Sequence, residues 1–194
     1  ALASASACVV VAPDATTFQN NLMTTYNVFS AATLLGIKRV VWASSETLFG
    51  LPLTREAPAF APITEDHHTL PENGYALAKG LAEEMARQMH RWNPGTSFIG
   101  LRISNLIAPE DYPLFAGWQD DAKVRQWNLW SYVDSRDVAQ ACRLALQDAP
   151  VGAHHCIIAA ADTVMTRSSR ELMAECFPGV AITRDIGRNE SLQA

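Results

Sequence analysis

Two apolar runs, each preceded by a segment with helical periodicity, constrain the fold of this chain most. Residues 37–43 and 97–107 are rich in aliphatic side chains and lack the polar alternation of a half-exposed strand. Such runs are typical of strands that are buried on both faces of a parallel sheet, whose connections are helices. The order helix, strand, long loop, helix, strand therefore predicts an α/β fold with a mostly parallel sheet.

The two helical segments carry apolar residues at three- and four-residue steps, and each is predicted to bury that stripe. The first helix covers residues 17–35 and ends at Gly36, and the second covers residues 75–92 and ends at the turn-forming residues 93–95. The stripe residues are Leu22, Tyr26, Phe29, Ala32 and Leu35 in the first helix, and Leu77, Leu81, Met85, Met89 and Trp92 in the second.

The segment between the first strand and the second helix is a long loop. Residues 50–74 contain four prolines, and a loop of this length inside a compact domain is usually functional or disordered. The other predicted elements are an irregular segment at 108–128, a helix at 137–146, a strand at 156–160 and a helix that is capped by Ser168 or Ser169 and ends near Cys176.

Composition narrows the class of protein. The chain has 194 residues, of which 48% are hydrophobic and 18% charged, so it can bury the core of one domain with a small appended lobe. Its formal net charge is −5 and its basic residues are scattered, which argues against nucleic acids and anionic membrane surfaces as partners. No apolar run reaches the roughly 18–20 residues of a membrane span.

Cysteine and histidine usage favours a reduced protein without a metal. The four cysteines lack metal-ligand spacing, and a chain of this length does not need disulfides, so reduced thiols in a cytoplasmic protein are expected. The histidine pairs 67–68 and 154–155 are adjacent in sequence and point to different sides of an element, so no metal site is predicted. The small apolar residues 1–12 resemble the end of a signal peptide but lack its basic segment, which favours a buried strand end and its loop.

Three residues have the chemistry of a proton-transfer site. Ser45 follows the first apolar run, at the carboxyl end of a predicted parallel strand, where open α/β sheets bind ligands. Tyr75 and Lys79 share one helix face, so the ammonium favours the phenolate and lowers the tyrosine pKa from about 10. Such a phenol acts as a general acid or base, while a serine hydroxyl hydrogen-bonds the same substrate oxygen. Each motif alone is weak, because Tyr-x-x-x-Lys arises by chance and paired serines are common in turns.

The order of these and other motifs resembles the extended short-chain dehydrogenase/reductase family, in its NAD-dependent epimerase/dehydratase group. The resemblance runs from residue 1 to residue 147, and counting back from Gly50 places the family's catalytic hydroxyl on Ser45. The matching motifs are Asn21 with Thr25 and Asn27, residues 38–45 with Phe49 and Gly50, Tyr75 with Lys79, Leu101 and Arg102 with Asn105, and Tyr132 and Val133 with residues 137–139.

The resemblance implies a Rossmann-like, doubly wound domain that holds NAD or NADP, with the substrate in a smaller C-terminal lobe. On this division, residues 1–107 are the C-terminal half of the dinucleotide-binding domain. Residues 108–194 form a mixed segment that contains the small substrate lobe and helix 137–147, which returns to the Rossmann core.

The same resemblance implies roles for individual residues. The catalytic residues would be Ser45, Tyr75 and Lys79. The cofactor-side residues would be Leu2, Ala3, Asn21, Ala43, Tyr75 and Lys79. The substrate-side candidates are Ser45, Glu46, Thr47 and Asn105.

One departure from the family concerns the cofactor. No Gly-x-x-Gly-x-x-Gly turn occurs in the 194 residues, although in the family this turn holds the pyrophosphate. The chain begins where the family's fourth strand ends. We therefore expect a fragment whose sheet is incomplete at the N-terminus and which is inactive alone. The residue that separates NAD from NADP lies in the part not matched, so the choice stays open.

Two further departures concern the substrate. Trp130 stands where nucleotide-sugar epimerases commonly carry an arginine that grips phosphate, and the connection 105–130 is short. Both favour a small substrate such as a free sugar, a sugar acid or a simpler hydroxy or keto compound. The alternative is that Trp130 belongs to the core and that Lys123 or Arg125 holds the phosphate.

The predicted function is NAD(P)-dependent oxidoreduction of a carbinol or carbonyl on a sugar-like small molecule. One alternative is a nucleotide-sugar epimerase or dehydratase, and another is a non-catalytic cofactor sensor or scaffold. A homodimer is also expected, because the resemblance implies pairing through the two long helices. In addition, Met85, Met89 and Trp92 exceed the apolar area that one helix face needs.

Overall fold

The computed structural model describes residues 13–193, so Leu2 and Ala3, two of the expected cofactor-side residues, lie outside the described part. The helices within it are α1 (Asp14–Leu34), α2 (Gly74–Trp92), α3 (Ser135–Asp148) and α4 (Ser169–Cys176). The strands are β1 (Arg39–Ser45), β2 (Phe60–Ala61), β3 (Ser97–Ile103), β4 (Leu106–Ile107), β5 (Val133–Asp134), β6 (Ala153–Ile158) and β7 (Ala181–Ile182).

Among residues 13–193, the central sheet has three parallel strands in the order β1–β3–β6. Ser45 pairs with Ile103, and Leu101 pairs with Cys156, so the carboxyl ends of the strands meet at one edge. The predicted α/β fold with a mostly parallel sheet is confirmed. The second apolar run ends earlier than expected, because the chain leaves the sheet at Ser104 and resumes as the short strand β4, which pairs with β5.

Helices cover both faces of this sheet. On one face, α1 and α2 pack around Phe29, Trp42 and Phe98, with the rings of Phe29 and Trp42 edge-on at 5.5 Å between centroids. On the other face lies α3. The predicted helices are confirmed to within a few residues at their ends. The start of α4 is also confirmed, since Ser168 forms a capping box with Glu171.

The apolar stripe predicted for α2 is only partly correct. Met89 is buried as expected, but Leu77 is 44% exposed, Leu81 is 42% exposed and Trp92 is 59% exposed. The inner face of α2 is built mainly from small residues, which allow the helix to approach α1 and the sheet closely. The buried residues of α2 are Gly74, Tyr75, Ala76, Ala78, Lys79, Ala82, Ala86 and Met89.

The inner face of α1 also differs from the predicted stripe. The stripe is confirmed at Phe29 and Ala32 and wrong at Tyr26 and Leu35, which are exposed. The polar residues Thr17, Asn21 and Thr25 are buried instead. Asn21 Nδ2 donates to the Thr17 carbonyl at 2.9 Å, and Thr25 Oγ1 donates to the Asn21 carbonyl at 2.9 Å. Because the helix itself satisfies these groups, a search for apolar periodicity misses this face.

A second hydrophobic core begins directly after the carboxyl ends of β1 and β4. Its walls come from three stretches that are far apart in sequence, at residues 49–63, 107–132 and 164–192. Strand β2 pairs in parallel with β7, and Ile63 N donates to the Leu192 carbonyl at 2.8 Å. These three stretches therefore share one core, and the proline-containing loop 50–74 is part of its framework.

The loop 50–74 is organised around the imidazole of His67, which is buried. Its Nε2 accepts from Ala59 N at 3.1 Å, and its Nδ1 lies 3.0 Å from the His68 carbonyl. One nitrogen must then accept and the other donate, which is the bonding of a neutral imidazole. The ring also packs against Phe49 and Phe60. The sequence predicts this loop from its prolines but not the buried residue that orders it.

The irregular segment predicted at 108–128 is confirmed. It consists of short 3₁₀ helices at Pro109–Trp118, Ala122–Val124 and Gln126–Asn128. Among residues 13–193, no helix has the length and apolarity that a membrane span requires. In the same residues, no three His, Cys, Asp or Glu side chains come close enough together to hold a metal ion.

Candidate active site

A cavity of about 630 Å³ opens at the carboxyl ends of β1 and β3. The N-terminal turn of α2 and the start of the second core complete its walls. This edge of a parallel sheet is where α/β proteins bind their ligands. The residues that line the cavity include Ala43, Ser45, Thr47, Tyr75, Asn105 and Trp127.

Ser45 is the last residue of β1 and has an extended backbone, with φ of −156° and ψ of 146°. Its Oγ accepts from Thr47 N at 3.2 Å and from Thr47 Oγ1 at 2.9 Å. These bonds use the acceptor positions of the hydroxyl and fix its place at the cavity wall. The hydroxyl hydrogen of Ser45 is then the group that can donate to a substrate oxygen.

Tyr75 lies in the first turn of α2, and the contacts around Gly74 fix its position. Asn73 caps the helix through Oδ1, which accepts from Ala76 N at 2.9 Å, and Asp14 Oδ1 accepts from Gly74 N at 2.8 Å. A Cβ at Gly74 would lie 2.8 Å from Asp14 Oδ2, so only glycine allows this approach of α1. The positive end of the helix dipole near Tyr75 also favours its phenolate form.

Lys79 lies one turn after Tyr75 and is only 2% exposed. Its Nζ donates to the Ala43 carbonyl at 2.7 Å and lies 5.3 Å from the centre of the Tyr75 ring. Burial lowers the pKa of Lys79 to about 8, so the ammonium persists at neutral pH and loses its proton as the pH rises through that value. The structure thus brings Ala43, Ser45, Tyr75 and Lys79 together, and the Ala43 carbonyl serves as the anchor of the ammonium.

The remaining predicted site residues divide between the cavity and its surroundings. Thr47 and Asn105 line the cavity. Glu46 also reaches the cavity, but its carboxylate bonds to groups of a buried polar cluster, among them Ser104 Oγ at 2.8 Å. Asn21 is buried on α1, is not among the cavity residues, and bonds within its own helix.

Arg125, which the sequence offered only as an alternative phosphate ligand, is not among the residues that line the cavity but contacts Asn105, which is. It is buried, and its Nη2 donates to Asn105 Oδ1 at 2.7 Å. Its guanidinium lies between two indoles, 4.6 Å from the Trp118 ring centre and 4.9 Å from that of Trp127. The tryptophans at 118 and 127, close to Arg125 in sequence, were the available signal, since guanidinium groups stack well on indoles.

Trp130 is not among the residues that line the cavity and belongs to the core, which was the alternative interpretation of this residue. It is 0% exposed, its Nε1 donates to the Ala122 carbonyl at 2.7 Å, and its ring packs edge-on against Phe177. Leu129 and Trp130 both have a φ of 57°, in the left-handed region. This turn reverses the chain and sends the indole into the second core, which a linear motif comparison does not reveal.

Two solved epimerases have a similar fold. The UDP-N-acetylglucosamine 4-epimerase from Methanobrevibacter ruminantium M1, in complex with UDP-N-acetylmuramic acid, matches with a TM-score of 0.65 at 19% identity, over 99% of this chain and 65% of that one. The UDP-glucose 4-epimerase from Brucella ovis, in complex with NAD, matches with a TM-score of 0.64 at 21% identity, over 99% of this chain and 67% of that one. The fold is therefore Rossmann-like, and the chain spans about two thirds of these structures.

A curated relative and a family profile agree with this likeness. The bifunctional UDP-glucose 4-epimerase and UDP-xylose 4-epimerase 3 of Arabidopsis thaliana is 31% identical over 116 residues, which are 60% of this chain and 30% of that protein. The profile of the NAD dependent epimerase/dehydratase family matches residues 2–159. Because this match includes most of the chain, together with the segments that carry Ser45, Tyr75 and Lys79, the chain belongs to the NAD dependent epimerase/dehydratase family.

Proposed function

We propose that this chain carries the proton-transfer site of an NAD-dependent epimerase-type enzyme that acts on a nucleotide sugar. The observation that carries the proposal is the grouping of Ser45 and Tyr75 at one cavity, with the Lys79 ammonium 5.3 Å from the Tyr75 ring. Family membership supports the same chemistry. The named activity of the Arabidopsis relative, epimerisation of UDP-glucose and UDP-xylose, supports the substrate class.

In this proposal, Tyr75 moves the proton of the reacting hydroxyl. The Lys79 ammonium and the helix terminus stabilise the phenolate, which accepts that proton as the carbinol becomes a carbonyl. Ser45 donates its hydroxyl hydrogen to the same oxygen, and the proton returns from Tyr75 when the carbonyl is reduced. NAD, when bound, accepts and returns the hydride.

The described residues fit the nicotinamide end of a dinucleotide. An ammonium has three hydrogens to donate, so the bond from Lys79 to the Ala43 carbonyl leaves donor capacity for ribose hydroxyls beside Tyr75. The position of the cavity at the carboxyl edge of the sheet agrees with this role. NAD is favoured over NADP in the proposal because the Brucella ovis structure was solved with NAD.

A nucleotide sugar is favoured as the substrate because Trp130 no longer argues against it. The indole belongs to the second core, and the buried Arg125 places a guanidinium directly behind Asn105, which lines the cavity. A guanidinium is the side chain best suited to phosphate. The second candidate is a dehydrogenase of free sugars or sugar acids, which the short 3₁₀ helices between Asn105 and Trp130 favour because they offer little room for a nucleotide subdomain.

The first prediction distinguishes these substrates. We expect the complete protein to turn over a UDP- or dTDP-sugar with a kcat/KM at least about tenfold above that for every free sugar and uronic acid, a ratio worth ~1.4 kcal/mol. A side-by-side assay with NAD measures it. Arg125→Met should raise KM for the nucleotide sugar more than KM for any free sugar.

A free sugar or uronic acid as the best substrate would support the dehydrogenase instead. If the complete protein binds NAD but turns over none of the nucleotide sugars, free sugars or uronic acids, the result would favour a non-catalytic cofactor sensor or scaffold.

The second prediction concerns a homodimer through α1 and α2. Both helices expose large apolar side chains, including Met23 and Tyr26 on α1 and Leu81 and Trp92 on α2. Paired helices of two copies would cover these groups, so Leu81→Glu should convert a dimer to a monomer in light scattering. The matched control is Leu146→Glu on α3, which is similarly exposed and should leave the dimer intact. A monomer before any substitution, at high micromolar concentration, would contradict the prediction.

A further inference from the structure

The carboxylate of Glu46 lies where four segments of the chain meet. It is 4% exposed, and Oε2 accepts from Ser104 Oγ at 2.8 Å and from Gln193 Nε2 at 2.7 Å. Oε1 accepts a longer bond from Asn128 Nδ2 at 3.4 Å. Glu46 directly follows Ser45 at the end of β1. Its donors come from three other segments: Ser104 follows β3, Asn128 precedes β5, and Gln193 is the last described residue. One buried group therefore connects the sheet with the second core.

The donors of this cluster continue to the wall of the active-site cavity. Asn128 Nδ2 also donates to the Ser131 carbonyl at 2.8 Å, and the same carbonyl accepts from Arg125 Nη2 at 3.2 Å. Arg125 in turn donates to Asn105 Oδ1. Glu46 thus reaches the Asn105–Arg125 pair through a chain of hydrogen bonds, in addition to its bond with the neighbouring Ser104.

Two amide oxygens of the cluster have no hydrogen-bond partner within residues 13–193. These buried atoms are Asn128 Oδ1 and Gln193 Oε1. A deprotonated carboxylate cannot satisfy them because it only accepts, whereas a protonated carboxyl has one hydrogen to donate. To accept this hydrogen, the side-chain amide of Asn128 or Gln193 must rotate so that its oxygen faces Glu46. If the Asn128 amide rotates, its Nδ2 loses the bond to the Ser131 carbonyl. Each protonation state of Glu46 therefore favours a different pattern of hydrogen bonds.

Both protonation states are accessible near neutral pH. Burial raises the pKa of Glu46 to about 7, although the hydrogen bonds from Gln193, Ser104 and Asn128 oppose this shift. Arg125 is the charged group, among residues 13–193, whose attraction also lowers this pKa. Loss of the Glu46 charge therefore also removes an electrostatic restraint on Arg125.

We propose that Glu46 is a positioning residue that holds the Asn105–Arg125 wall in its substrate-binding arrangement, and that uptake of a proton by Glu46 loosens this wall. The identity of the substrate in this inference rests on the proposed function, but the rearrangement of the wall does not. Substrate binding should therefore weaken as the pH falls below 7, while proton transfer at Tyr75 is not the affected step.

The experiment has a structural arm that needs no substrate. Trp118 and Trp127 flank Arg125, so their fluorescence should report the loosening. In the complete protein we expect one transition with a midpoint near pH 7. It should disappear in Glu46→Gln and persist in the control Glu110→Gln, which removes an exposed carboxylate. A transition that survives in Glu46→Gln would overturn the proposal.

A ¹³C NMR titration of glutamate carboxyls in the unsubstituted protein covers the case in which Glu46→Gln fails to fold. One carboxyl should titrate near pH 7 while solvent-exposed ones titrate near their usual ~4.3. If no glutamate carboxyl titrates above about pH 6, the proposal is overturned. The Glu46 carboxyl would then already be deprotonated near pH 7, and no change in its charge could loosen the wall there, whatever the substrate is.

The kinetic arm separates positioning from catalysis. If only the deprotonated form binds well, KM for the sugar substrate should be about tenfold higher at pH 6 than at pH 8, in proportion to the competent fraction. The change should be absent in Glu46→Gln. The kcat should not follow the Glu46 midpoint near pH 7, because the group that changes proton transfer in this range is Lys79, whose pKa is about 8. A pH-independent KM in an active enzyme would overturn the inference. Failure of every sugar to react would overturn the proposed function and leave the two structural arms to decide the role of Glu46.

Discussion

Replacing Tyr75 with phenylalanine should lower the kcat of the complete protein by about 10²–10⁴-fold, the usual contribution of a general acid–base group. The substitution removes the phenolic oxygen and keeps the ring, which is buried against the Lys79 ammonium. Cofactor affinity should change little, because Lys79 and its bond to the Ala43 carbonyl stay in place. Steady-state kinetics and an NAD titration on the same preparation measure both quantities.

The matched control for this prediction is Tyr26→Phe. Tyr26 is exposed on α1 and away from the cavity residues, so loss of its oxygen should leave kcat unchanged. If Tyr75→Phe retains more than about a tenth of the original rate, the phenol does not act as the acid–base group.

Replacing Trp130 with alanine should lower the free energy of unfolding by about 3–5 kcal/mol, as expected for a large aromatic residue deleted from a core. The indole is fully buried, and the substitution also leaves the Ala122 carbonyl without its donor. Urea denaturation monitored by circular dichroism gives the difference. A residue that contacted substrate instead of the core would change KM and leave the stability nearly intact.

Leu114→Ala is the control for the Trp130 substitution. Leu114 is exposed in the neighbouring 3₁₀ segment, so its truncation should change the free energy of unfolding by no more than about 0.5 kcal/mol. Equal losses at both positions would show that the segment, and not the burial of Trp130, determines the result.

The parts of the structure that depend on local sequence were predictable. The strands around Val40 and Ile99 follow from continuous apolar runs, because a strand buried on both faces needs no alternation. Helix periodicity places Tyr75 and Lys79 on one face, and the end of a parallel strand places Ser45 at the ligand-binding edge of the sheet. The expectation that the three residues form one site came from the order of motifs that resembles the family.

The parts that depend on distant contacts were not predictable from one sequence. Helix periodicity predicted that Leu77 is buried and that Lys79 lies on the face of the site, and only the second prediction is correct. The first fails because the inner face of α2 consists mainly of small residues, which do not stand out in a search for apolar periodicity. Trp130 turns inward because of the left-handed backbone at Leu129, and the donors of Glu46 come from positions as distant as Gln193. Neither the turn nor the cluster leaves a periodic pattern.

The parallel pairing of β2 with β7 has a consequence for the order in which this protein is made. Thr183 bonds to the Ala61 carbonyl across a sequence separation of 122 residues. At about 5–20 residues per second, a ribosome takes roughly 6–25 s to cover that distance. During this interval the apolar side chains near Phe49 and Leu51 have been synthesised but their partners near Leu192 have not. Each nascent chain therefore passes through a period in which apolar residues of the second core are exposed because their packing partners have not been synthesised. Chaperones that bind exposed apolar segments can bind the chain during this period.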